Sequence, residues 1–207
     1  RRAAVAETGT ILNSLNNCLD LGGHFIDQIF GRISMLRMNK KMSDLINDMS
    51  CKTKSLPADL SNYISMGFCK RNGCQLLAAL SSKDVNVDLE TFPDKTGYEC
   101  FFNSVHIDDY VESNYLDNAF LFIDELFKAW RQHNKNELVN AIVSKDEFGV
   151  VVKFHLERIG ESWVSDNLEK YEEAILIANS TVDLPSIISS PGGTQISPTI
   201  VEIMRPE

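Results

Sequence analysis

The chain has 207 residues, 43% of them apolar and 24% charged, with a formal net charge of −9. That length and balance support a buried core in one large domain or two small ones. They exclude a membrane-spanning helix, because no uncharged apolar run approaches the roughly 18 to 20 residues needed to cross a bilayer. The first residues also lack the order of a signal peptide, so a soluble cytoplasmic protein is expected, with a targeting segment ahead of Arg1 left open.

Val5, Ile11, Leu12, Leu15 and Leu19 recur at helical spacing up to Gly22-Gly23, which predicts a first helix that the two glycines stop or bend. Phe25, Ile26, Ile29, Phe30, Ile33, Leu36, Met42, Leu45, Ile46 and Met49 keep the same rhythm, while Arg32, Arg37, Lys40, Lys41, Asp44 and Asp48 fall mostly off the stripe. A second, longer helix is expected, making a helical hairpin over residues 10 to 50. Pro57 opens a third, short helix over Ala58 to Ser65. Residues 1–66 read as a helical segment.

The texture changes at Cys74. CQLLAALS, VNVDLETF and YECFFNSVHI are short runs bounded by SSKD and PDKTG, and they predict three antiparallel strands, although the first also suits a helix. Leu116, Ala119, Phe120, Ile123, Leu126, Phe127 and Trp130 then share one helical face. Asp117 near its start and Lys128 and Arg131 near its end suit the helix dipole, and Asp124 precedes Lys128 by four. ELVNAIVS and FGVVVKFHLERIG form a predicted hairpin across KDE, and AILIANS is a further strand after the exposed NLEKYEE. The last stretch, residues 184–207, holds four of the six prolines and reads as an extended tail in which TIVEIM could form an edge strand. The fold class expected is α+β: an N-terminal helical hairpin plus an antiparallel sheet with a packed helix, the α+β domain running over residues 67–183.

Charge is unevenly spread. Residues 1 to 54 carry a net +3 and residues 55 to 207 a net −12, and no Lys or Arg lies between Lys95 and Lys128. Glu99, Asp108, Asp109, Glu112, Asp117, Asp124 and Glu125 all fall in that gap. Such a field repels phosphates and attracts basic proteins, which argues against nucleic acid and for a basic protein partner.

No constellation of catalytic residues stands out. His106-Ile-Asp108-Asp109 could supply two ligands to a divalent metal, but no second cluster completes a coordination shell, so an acidic surface is the expected reading. Cys69 and Cys74 form a C-x4-C pair with no matching half-site, and five scattered cysteines suit reduced thiols better than disulfides. No metal or cofactor is expected. His155 alternates with Val151, Lys153 and Glu157 on what should be the solvent side of a strand. Trp163, among acids and turn formers in ERIGESWVSDNLEKYEE, is either an interface anchor or the edge of the core.

The order of a strand, an acidic turn, a helix ending in Lys-Ala-Trp, a hairpin, then ESW and an acidic segment resembles small acidic bacterial immunity proteins that neutralise contact-dependent or polymorphic toxins. The likeness covers roughly Gly97 to Ser180 and implies a toxin-neutralising role without assigning contact residues. A protein-binding module and not an enzyme is therefore expected, with Asp108, Asp109, Glu112, Asp117 and Trp163 at its partner-binding surface. Two alternatives are an enzyme whose site around His106, Asp108 and Asp109 assembles only in three dimensions, and a structural protein whose apolar hairpin forms a homodimer.

Overall fold

A computed structural model describes residues 34–49, 53, 55–81 and 87–188. The expected helical hairpin over residues 10 to 50 falls mainly outside these, and so does TIVEIM. The described part of the second expected helix differs from the expectation. Leu36–Met38 is a strand, β1, and the helix α1 spans only Lys40–Asn47. Asn39 separates the two: its side chain accepts from the N–H of Met42 at 3.0 Å and of Ile175 at 3.1 Å, capping the helix and tying the strand's end to the sheet. Leu36 follows Ile33 at helical spacing, but Leu36 and Met38 also alternate about Arg37, and pairing with the sheet decides between the two readings.

The helix α2 (Ala58–Ser65) lies where the sequence placed it. It leads to a two-stranded sheet, β2 (Phe68–Arg71) and β3 (Cys74–Leu77), and a helical turn α3 (Ala78–Ser81). CQLLAALS is thus half strand and half helix. Leu89–Thr91 is a 3-10 turn, so the expected strand over VNVDLETF does not form among its described residues. YECFFNSVHI divides as well: α4 (Lys95–Phe102) precedes β4 (Ser104–His106). Asp94 starts α4 by accepting from the Gly97 N–H at 2.7 Å. A second 3-10 turn (Ile107–Asp109) leads to α5 (Tyr115–His133), the long helix expected from its apolar face.

β5 (Val139–Lys145), β6 (Val150–Leu156) and β7 (Ala174–Asn179) complete an antiparallel sheet in the order β1-β7-β5-β6-β4. The protein is α+β. The expected extended tail begins instead with a short helix α6, Leu184–Ile188.

Strand alternation sorts the sheet's two faces. Ala141, Val143, Val152, Phe154, Leu176 and Ala178 stand in register on one face and pack against Phe120, Ile123, Phe127 and Trp130 of α5. Met42 and Ile46 of α1 and Leu60 and Ile64 of α2 enter the same core. Ile142, Ile175 and Ile177 line the other face with Cys100 and Leu168, so this face is also covered. That cover corrects the expectation for His155, which is 4% exposed instead of solvent-facing.

Helix α4 bridges the two sheets with side chains. Below Lys153 the strand β6 runs past the end of β4 and has no strand neighbour on that edge. Glu99 and Asn103, one helical turn apart, take that place. Glu99 accepts from the N–H groups of Gln75 in β3 and Leu156 in β6, at 2.5 and 2.8 Å. Asn103 accepts from Leu77 N–H at 3.0 Å and donates to the carbonyls of Gln75 and Phe154. Backbone groups that would be buried without partners are thereby satisfied.

Candidate partner-binding site

The residues that the sequence marked as acidic do not form one surface. Glu99 is fully buried and holds Arg158 in a two-pronged ion pair, Oε1 to Nη2 at 2.5 Å and Oε2 to Nη1 at 2.9 Å. Asp124 is also buried and pairs with Lys128 at 2.7 Å, the i,i+4 contact expected, while Glu125 reaches the same ammonium at 3.1 Å. These three carboxylates serve the fold.

The remaining acids gather at one corner, where β4 ends, α5 begins and the β5–β6 hairpin turns. The 3-10 turn of Ile107–Asp109 sits there because Ile107 is buried in the core, while Tyr110 places its hydroxyl 2.7 Å from that of Tyr63 in α2. Their rings meet edge to face at 5.6 Å. Burial, and then the Tyr63 hydroxyl, raises the Tyr110 pKa, so this anchor stays protonated. Asp109 and Glu112 are exposed.

Asp108 is half-buried and has a structural task. Its Oδ1 accepts from the Val150 N–H at 3.1 Å and fills the space beside Gly149, where an added Cβ would come within 2.1 Å of it. Gly149 is therefore glycine for close approach. The hairpin turn is closed from inside by Asp146, whose carboxylate accepts from the Phe148 and Gly149 N–H groups at 2.9 and 3.0 Å. Those two donors, Gly149 foremost, hold the Asp146 carboxyl below its usual range. The turn leaves Glu147 exposed and Phe148 81% exposed.

Beside this corner lies an open cavity of about 330 Å³, lined by Leu45 and Met49 of α1, by Asn114, Tyr115, Leu116 and Asp117 at the start of α5, and by Lys145. Asn114 adopts the left-handed conformation, φ 54°, which turns the chain from the acidic loop into the helix without a side-chain cap. Asn114 occupies the cap position, five residues past Asp109. Lys145 is opposite Val150 in the hairpin, so cavity, hairpin and acidic turn adjoin.

His106 does not join Asp108. It is exposed on β4, opposite Val151, whereas Asp108 is committed to the Val150 N–H. Among the described residues no group of three or more His, Cys, Asp or Glu is placed to hold a metal ion. Cys69, Cys74 and Cys100 are free thiols; burial pushes Cys74 up to about 11 and raises Cys100 further. Trp163 stands apart from the acidic corner, 42% exposed, with the Lys153 ammonium 5.6 Å from its ring centre. Lys153 is three residues along β6 from Val150, roughly 10 Å of strand.

Sequence reasoning missed Asp146, Glu147 and Phe148. The available signal was an aromatic directly after KDE, in a turn that needs no apolar residue.

Residues 37–192 match the family model described as "Uncharacterized protein PM0498 family". The chain belongs to this family. The match spans the whole acidic corner and Trp163. The PM0498-family chain is also 29% identical over 140 residues, 62% of its length and 87% of the relative's, to "Uncharacterized protein PM0498" of Pasteurella multocida (strain Pm70). No solved structure matches significantly. No helix among the described residues is long and apolar enough to cross a membrane.

Proposed function

We propose that this chain is a protein-binding module that takes a basic protein at its acidic corner, and that it acts as an immunity protein neutralising a toxin. One observation carries the reading: Asp109 and Glu112 from the β4–α5 connection and Asp146 and Glu147 from the β5–β6 turn stand exposed on two segments locked together by Asp108. A surface assembled this way is preorganised. It steers a cationic partner and loses little freedom on binding it. Inhibition of a basic toxin asks for no chemistry from the inhibitor, only for a complementary face that covers the toxin's cleft. The likeness in layout to acidic immunity proteins over Gly97 to Ser180 supports the same role.

The test is capture from the native host with a tagged chain, followed by co-expression. A partner with a basic surface is expected at low salt, and its growth-arresting effect is expected to be relieved when this chain is co-expressed. A partner without a basic surface contradicts the binding mode. Persistent arrest in the presence of a bound basic partner contradicts the immunity role alone.

A further inference from the structure

The open cavity of about 330 Å³ lies beside the acidic corner, and steering by charge does not account for its apolar lining. Leu45, Met49 and Tyr115 pack on the core yet stay half-buried, so they keep apolar surface toward the cavity, and Leu116, 7% exposed, joins them from the core. The wall is fixed by hydrogen bonds. The Tyr115 hydroxyl donates to the Glu112 carbonyl at 3.2 Å, and Lys145, the basic residue of the lining, turns its ammonium to the Asp146 carbonyl at 3.1 Å. These two bonds tie the cavity to both acidic segments, because Glu112 precedes α5 and Asp146 opens the hairpin turn; Asp117 stands in the lining itself.

Size, lining and charge together name one occupant. A volume near the lower bound of ligand pockets suits one large side chain better than a whole small molecule. The Met49 thioether and the Tyr115 ring both favour an aromatic neighbour, and aromatic side chains seated in pockets are the usual energetic anchors of protein contacts. The carboxylates on both sides select an anchor whose own chain neighbours are cations, since acidic neighbours would be repelled at the mouth. We propose that the cavity receives an aromatic side chain set among lysines or arginines of the basic partner; this rests on the acidic-corner reading and names the anchor of that contact.

The probes are three fluorescein-labelled Gly/Ser peptides followed by fluorescence anisotropy at low salt. One carries a tryptophan between two pairs of lysines, the second an alanine in its place, and the third a tryptophan between two pairs of glutamates. The wild-type chain is expected to bind the first about 10-fold more tightly than the second, the gain of one seated anchor side chain, and not to bind the third. Met49→Trp and Leu45→Trp each fill the cavity from its own wall. Each is expected to erase the tryptophan preference and to leave binding of the lysine–alanine peptide unchanged, with thermal melts showing which variant keeps its fold. D109N/E112Q is expected to weaken both lysine peptides and to keep the preference. Equal binding of the two lysine peptides by the wild type, or a preference that survives in a folded cavity-filling variant, would overturn the aromatic anchor and leave the acidic-corner reading standing. Binding of the glutamate peptide as tight as that of the lysine–tryptophan peptide, or absence of binding to either lysine peptide, would overturn both.

Discussion

Glu99 carries more of the fold than any exposed acid. Removing it leaves Arg158, the Gln75 N–H and the Leu156 N–H short of their acceptor in a buried place. The cost is therefore set by stranded partners and not by the pair's own attraction. E99A is expected to lose about 3 to 5 kcal/mol in urea denaturation, the range for breaking a buried ion pair. A loss under about 1 kcal/mol, typical of a surface pair, would contradict the bridging role. His155 contributes with the opposite sign at low pH. Burial holds its imidazole below the ordinary 6.5, partly opposed by the Leu156 carbonyl 2.8 Å from Nδ1. As pH falls through 6.5 the unfolded chain takes a proton that the folded chain refuses, so unfolding is favoured and stability drops. Between pH 7 and about pH 5.5, above most carboxylate titration, wild type should lose more stability than H155Q. Parallel curves for the two proteins would remove His155 as the cause.

At the scale of elements, the acidic corner depends on one contact between the 3-10 turn and the hairpin. G149A must displace the Asp108 carboxylate and break its bond to Val150, while D108A removes both the bond and the obstacle. The two substitutions should therefore be strongly non-additive: G149A is expected to cost about 1 to 2 kcal/mol in the wild type and much less in D108A, a double-mutant cycle that additive costs would refute. Much of this architecture was legible in the sequence. The face Leu116 to Trp130 named its helix because the opposite side is largely polar. The alternation of Val150, Val152 and Phe154 named its strand although the sheet's other face is covered as well, and the proline before Ala58 marked a helix's first turn. The helix α4 was not legible. Glu99 and Asn103 are buried, which breaks the polar-out rule, and with Tyr98 and Phe102 beside them YECFF imitates a buried strand. Likewise Leu36 on β1, beside Arg37, continued a helical stripe that only pairing with β7 interrupts.

At the scale of the molecule, the run of acids between Lys95 and Lys128 correctly signalled an acidic region but not which members face solvent. Glu99 and Asp124 turned inward, and Asp146 and Glu147 arrived from a hairpin some forty residues away. Asp108 is structural as well as acidic, so reversing it would disturb the hairpin and confuse a binding experiment. The most direct measurement is association kinetics of D109K/E112K/E147K against the basic partner, at low and at near-physiological ionic strength, beside thermal melts. The variant is expected to melt like the wild type, to associate more slowly at low salt, and to show a flatter dependence on salt, because exposed charges steer encounter and salt screens them. Association rates equal to the wild type at both salt concentrations would contradict the acidic corner as the partner-binding surface.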